Sequence, residues 1–167
     1  LGFLLSDKKP GPFKLEVAWV KIGTQSEHGN KQAEPDKRAG SELPEVPQGK
    51  EWELVWNDEF DGESLDKTKW EVPSNRRRDG WWSPEAVSLT GDGKLVISTL
   101  RKGDRYLDAC VRTRDKFEHA HGYYVARIKL HTQPGHWPAF WLYNSSVGKV
   151  GNAGRDGTEI DIMEKPW

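Results

Sequence analysis

From residue 51 onward turn-forming residues cut every apolar run short, and no stretch sustains a helical period. Trp52-Glu53-Leu54-Val55-Trp56 opens as a strand and is broken by Asn57-Asp58-Glu59-Phe60-Asp61-Gly62. Ala86-Val87-Ser88-Leu89, the turn Gly91-Asp92-Gly93, and Lys94-Leu95-Val96-Ile97-Ser98-Thr99 read as a hairpin. Further strands are expected at 107–113, 122–130, 138–143 and 158–163. Short strands at this spacing, with turn signals between them, predict an all-β sandwich or barrel.

Upstream the pattern changes. Residues 13–23 alternate apolar and polar side chains, the period of a half-buried strand. Little precedes them that could pair with that strand, so residues 1–23 are expected to end a preceding β domain. Residues 24–50 are Gly, Ser, Glu, Lys, Asn and Pro with almost no apolar content, and read as a linker. The unit of interest is then 51–167. With Leu1 rather than Met at its start, the chain reads as an internal segment of a longer protein.

The charge balance excludes some partners. Lys and Arg number 25 against 26 Asp and Glu, so no electrostatic case exists for nucleic acid or a membrane surface. No apolar run approaches the roughly 20 residues of a membrane span. Cys110 is the single cysteine, which leaves no intrachain disulfide within this sequence; between Ala109 and Val111 it reads as a small buried residue. His119 and His121 bracket Ala120 with no cysteine or acid cluster alongside, so no metal site is expected there. The nine tryptophans suggest aromatic platforms as well as core.

The chemistry concentrates in Glu159-Ile160-Asp161-Ile162-Met163-Glu164. Side chains alternate along a strand, so Glu159 and Asp161 share a face and strict alternation would send Glu164 to the other. One extra residue in a bulge returns Glu164 to the acidic side, and a bulge is expected near Ile162-Met163. Two carboxyl groups roughly 5–5.5 Å apart across a sugar linkage are what retaining cleavage of a glycosidic bond needs. Like charges crowded on one face repel, and an acid catalyst among them must still hold a proton.

Aromatic and basic residues nearby suit a carbohydrate. In Gly135-His136-Trp137-Pro138-Ala139-Phe140-Trp141, alternation puts Trp137, Ala139 and Trp141 on one face. Trp137 and Trp141 are then sugar-stacking candidates, and His136 could bond a hydroxyl. Asn75-Arg76-Arg77-Arg78-Asp79-Gly80-Trp81-Trp82 reads as a basic loop, with Arg76 and Trp82 as candidates for sugar hydroxyls or sulfate, against the commoner reading of a solvated charge run. Gly154-Arg155-Asp156-Gly157 reads as a turn that could shape the cleft.

These motifs together resemble glycoside hydrolase family 16. Trp56-Asn57-Asp58-Glu59-Phe60-Asp61-Gly62 with Leu65-Asp66 and Trp70 resembles the opening of that domain. Phe117, Gly122 and Ala126-Arg127-Ile128-Lys129 resemble its next strand pair, and Gly135 to Trp141 its tryptophan-rich strand. Glu159 to Glu164 resembles the bulged form of its acid strand, as in laminarinases and agarases. The resemblance covers 51–167 and implies a concanavalin A-like jelly roll incomplete at the C-terminus, the N-terminal half of a catalytic domain that alone is inactive. It further implies endo-acting, retaining hydrolysis, with Glu159 as nucleophile, Glu164 as acid/base and Asp161 tuning the nucleophile. The implied substrate is a β-1,3-glucan first, or an agar- or porphyran-type galactan, and the implied location extracellular or periplasmic. No cofactor is implied for the chemistry, although some family members hold a structural calcium. A non-catalytic carbohydrate-binding sandwich and transglycosylation are the alternatives; family-like binding proteins usually lose one or more of the acids.

Overall fold

The computed structural model describes residues 2–5, 13–26, 44–45, 48–132, 134–144 and 159–166. Eleven strands are seen among them: β1 (Gly2–Leu5), β2 (Phe13–Ser26), β3 (Glu51–Asp58), β4 (Asn75–Arg77), β5 (Gly80–Trp82), β6 (Val87–Leu89), β7 (Leu95–Lys102), β8 (Arg105–Arg112), β9 (Tyr123–Lys129), β10 (Ala139–Tyr143) and β11 (Glu159–Glu164). The one helical element among the described residues is a single 3-10 turn, Pro84–Ala86, whose first turn is capped by the Ser83 hydroxyl accepting from the Glu85 amide at 3.2 Å. The fold is an all-β, largely antiparallel sandwich of the jelly-roll kind.

The main path of strands runs β11-β10-β1-β8-β7-β2-β3, with β9 beside β2, β6 beside β7, and the β4–β5 ribbon joined to β8. The expected hairpin is β6–β7, with Val87 opposite Ile97 and Leu89 opposite Leu95. Its turn needs positive φ twice, 79° at Gly91 and 81° at Gly93, where a side chain would be strained.

Residues 1–23 require a correction. Rather than ending a separate domain, β2 pairs with β7 through Phe13–Val17, with β9 from Glu16 to Gly23, and with β3 from Val20 to Ser26. The short β1 lies between β8 and β10. Both segments therefore belong to the same sheet system as 51–167. Thr24, Gln25 and Ser26, read as linker, extend β2. Of the remaining linker, 27–43 and 46–47 lie outside the described residues.

The core gathers Val17 and Val20 of β2, Leu95 and Ile97 of β7, Ala109 and Val111 of β8, and Phe140 of β10 around Phe60 and Trp70. Fully burying a side chain such as Leu95, Ile97 or Phe140 is worth about 1.5–3 kcal/mol. Trp70 stacks on Phe60 at 5.9 Å and meets Trp56 edge-on at 5.1 Å. Asp58 organises this corner: one oxygen accepts from the Trp70 indole N–H at 2.6 Å, the other from the Phe60 amide at 3.0 Å. The second bond holds Phe60 in the left-handed region, φ 52°. Cys110 is buried, and burial pushes its thiol up to about 12, which leaves it protonated and unreactive.

Candidate active site

The pairing of β10 with β11 fixes the geometry. Tyr143 lies opposite Glu159, Trp141 opposite Asp161, then Phe140 opposite Met163 and Ala139 opposite Glu164. Between Trp141 and Phe140 the register slips by one, so Ile162 is the extra residue of a bulge. Directly opposed residues share a face. Glu159, Asp161 and Glu164 therefore lie with Tyr143, Trp141 and Ala139, and all three acids are exposed. The opposite face carries Phe140, buried in the core, and Met163 packed against it. The bulge expected from the one-residue excess is present and has the expected effect.

The same face can be followed across the sheet. Asp161 lies opposite Trp141, Trp141 opposite Gly2, and Gly2 opposite Arg112. Gly2 leaves room for the Trp141 ring: a Cβ there would come within 3.0 Å of the indole nitrogen. Arg112 is held by Glu71 through bonds of 2.7 and 3.2 Å, and this pairing keeps the Glu71 carboxyl below the usual carboxylate range. Trp141 also packs edge-on against Tyr143 at 5.3 Å. Tyr143 went unnoticed in the sequence, where only its place two residues beyond Trp141 could have flagged it.

Trp137 comes just before β10 rather than within it, yet it reaches the acids. Its indole N–H donates to Oε1 of Glu164 at 2.7 Å. His136 is a different case. Expected to meet a sugar hydroxyl, it is 1 % exposed, with Nδ1 3.4 Å from the Thr99 hydroxyl and its ring edge-on to His131 at 5.2 Å. Burial, helped by His131, lowers its pKa to about 4, so the imidazole is neutral near neutrality. It is an anchor beneath the site, not a surface that sugar can touch.

The basic segment 75–82 is a two-stranded ribbon, β4–β5, not a loop. Parallel pairing sets Trp82 beside Asp108, which shares its side of β8 with Cys110 and Arg112, so Trp82 faces the way the acids do. Trp82 is only 9 % exposed, and the Arg77 guanidinium lies 5.5 Å over its ring. Arg76 pairs with Trp81 and therefore points to the opposite side, where Arg105 stacks on Trp81 at 4.7 Å. Of Arg76 and Arg77, it is Arg77, one residue from the one expected, that shares the acid face with Trp82. The turn at 154–157 and residue 158 lie outside the described residues. Among the described residues, no group of three or more His, Cys, Asp or Glu side chains could hold a metal ion, and no helix is long and apolar enough to cross a membrane.

A jelly roll with three exposed carboxylates on one sheet face, beside half-buried indoles, resembles the arrangement of glycan-cleaving hydrolases. Known proteins agree. The chain is 33% identical over 126 residues to a β-glucanase of Rhodothermus marinus, covering 68% of this chain and 43% of that protein. It is 30% identical over 137 residues to glucan endo-1,3-β-glucosidase A1 of Niallia circulans, covering 66% and 20%. It is 31% identical over 146 residues to β-porphyranase B of Phocaeicola plebeius, covering 73% and 44%. No family model matches the chain. The chain belongs to glycoside hydrolase family 16. It spans less than half the length of each of these relatives.

Proposed function

We propose that the protein carrying this chain hydrolyses internal β-glycosidic bonds of a polysaccharide with retention of configuration. The β11 register carries this reading, because it aligns Glu159, Asp161 and Glu164 on one exposed face. Glu159 attacks the anomeric carbon while Glu164 protonates the departing oxygen; Glu164 then takes a proton from the water that releases the sugar from Glu159. Asp161, between them, steadies the nucleophile. Both steps run on carboxyl groups alone and use no cofactor. We place the protein outside the cytoplasm, where polymeric substrate is met.

A β-1,3-glucan is the favoured substrate, supported by similarity to a glucan endo-1,3-β-glucosidase. A galactan is the second reading, favoured by Arg77 over Trp82 on the acid face and by similarity to a β-porphyranase and a κ-carrageenase. A purely binding role has less support, since all three acids are present and exposed.

The test uses the complete protein against laminarin, agar, porphyran and κ-carrageenan. Glu159→Gln is expected to abolish turnover, and Glu164→Gln to lower it by about 10²–10⁴-fold. Wild-type turnover in both variants would refute the assignment. Cleavage of agar or porphyran without laminarin would move the substrate to the second reading.

A further inference from the structure

Resting on the reading above, we infer that Trp137 is a positioning residue that decides which oxygen of Glu164 delivers the proton. An indole N–H can donate but not accept. The Glu164 oxygen that receives it at 2.7 Å must therefore present a lone pair whether the carboxyl is neutral or ionised. A carbonyl oxygen accepts this bond better than a hydroxyl oxygen does, which places the catalytic proton on the other oxygen, Oε2. In the first half-reaction the proton leaves Oε2 for the glycosidic oxygen, as the bond from C1 to that oxygen breaks and a bond from C1 to Glu159 forms. In the second, a water proton returns to Oε2 while the water oxygen bonds to C1 and Glu159 departs. The Trp137 bond persists through both and spares the carboxyl from reorienting.

The surroundings hold donor and acceptor together. On the Trp137 side, His136 is buried against Thr99 and His131, and the Pro138 carbonyl accepts from the Lys165 amide at 3.1 Å. On the Glu164 side, the Lys165 ammonium donates to the His131 carbonyl at 2.7 Å. The residues flanking the Trp137–Glu164 contact are thus tied to one another and to the buried histidines. The contact is side chain to side chain across a pinned backbone, which makes it rigid enough to aim a proton.

The test compares Trp137→Phe, and replacement of Trp137 by the isosteric β-(3-benzothienyl)alanine, with wild type in the complete protein. The second keeps the ring shape and removes only the N–H, so it answers the question even if Trp137→Phe folds poorly. Substrates are aryl β-glycosides of graded leaving-group ability, built on the repeating disaccharide of the polysaccharide the wild type cleaves. Misaimed proton delivery should cost roughly 10–100-fold in kcat for poor leaving groups, a fraction of what acid catalysis supplies. With good leaving groups, which need little protonation, the loss should stay within about threefold. A uniform loss across the series, a rise in KM alone, or no loss would overturn the inference and leave Trp137 as a sugar platform. Glu164→Gln is run in parallel: wild-type turnover there would refute the acid assignment itself, whereas an impaired Glu164→Gln beside a flat Trp137 series refutes the positioning role alone.

Discussion

The Asp58 carboxylate should be one of the most expensive side chains to lose, although its bonds are to Trp70 and Phe60 rather than to the strand of the three acids. It is 8 % exposed and accepts two bonds, from the Trp70 indole at 2.6 Å and the Phe60 amide at 3.0 Å. Asp58→Ala strips the acceptor from both donors in a corner that water does not reach. Each buried donor left in that state costs about 1–3 kcal/mol, so the variant should lose about 2–6 kcal/mol. That is a large share of the roughly 5–15 kcal/mol by which domains are stable. The individual bond can be isolated by a double-mutant cycle with Trp70→Phe. A hydrogen bond to a charged group is worth about 1.5–3 kcal/mol, so the double variant should cost less than the sum of the single variants by that amount. Urea unfolding of the complete protein, followed by tryptophan fluorescence and by circular dichroism, gives the four stabilities. A coupling within about 0.5 kcal/mol of zero, the limit of ordinary additivity, would show that the contact does not organise the corner.

Two further outcomes are expected. Deleting Ile162 should remove the bulge while strict alternation keeps Glu159, Asp161 and Glu164 on one face, so the fold by circular dichroism and turnover should both persist; a folded deletion variant whose turnover falls by the about 10²–10⁴-fold expected of a lost acid catalyst would contradict the register. His136, with a folded pKa of about 4 against 6.5 for the free side chain, is protonated first in the unfolded chain as pH falls. Its contribution is therefore complete above about 6.5 and shrinks toward pH 4, by at most about 3 kcal/mol at roughly 1.4 kcal/mol per pH unit. An NMR titration of the folded protein that finds this imidazole protonating near 6.5 would refute its burial.

The strands and the site were legible to different depths for physical reasons. The β6–β7 hairpin lay open because its turn demands Gly91 and Gly93 and its partners are adjacent in sequence. The bulge was legible because one residue too many separates Asp161 from Glu164, a matter of parity alone. β2 was misplaced because two of its partners, β7 and β9, come far later in the chain, and periodicity reports a half-buried strand without saying what pairs with it. The same limit produced Arg76 in place of Arg77: a run of three arginines has no internal marker of register, and only the pairing of Arg76 with Trp81 sets which one shares the face of Trp82. His136 looked like a loop donor because Thr99 and His131, which bury it, are not its neighbours in sequence. An isolated half of a jelly roll would leave apolar residues such as Phe140, Ile160 and Ile162 open to water. Phe140 is instead buried at 3 %, with Met163 packed on its cluster, while Ile160 and Ile162 are 51% and 43% exposed.

The central claim is that Glu159 and Glu164 act as a double-displacement pair across one sheet face. It is tested most directly by trapping the intermediate. The complete protein is incubated with a 2-deoxy-2-fluoro glycoside bearing a good leaving group and built on the substrate's sugar, then digested and read by mass spectrometry. The account predicts one labelled peptide, with the sugar esterified to Glu159. A label on Glu164, on Asp161 or elsewhere, or a product released with inverted anomeric configuration and no label at all, would contradict it.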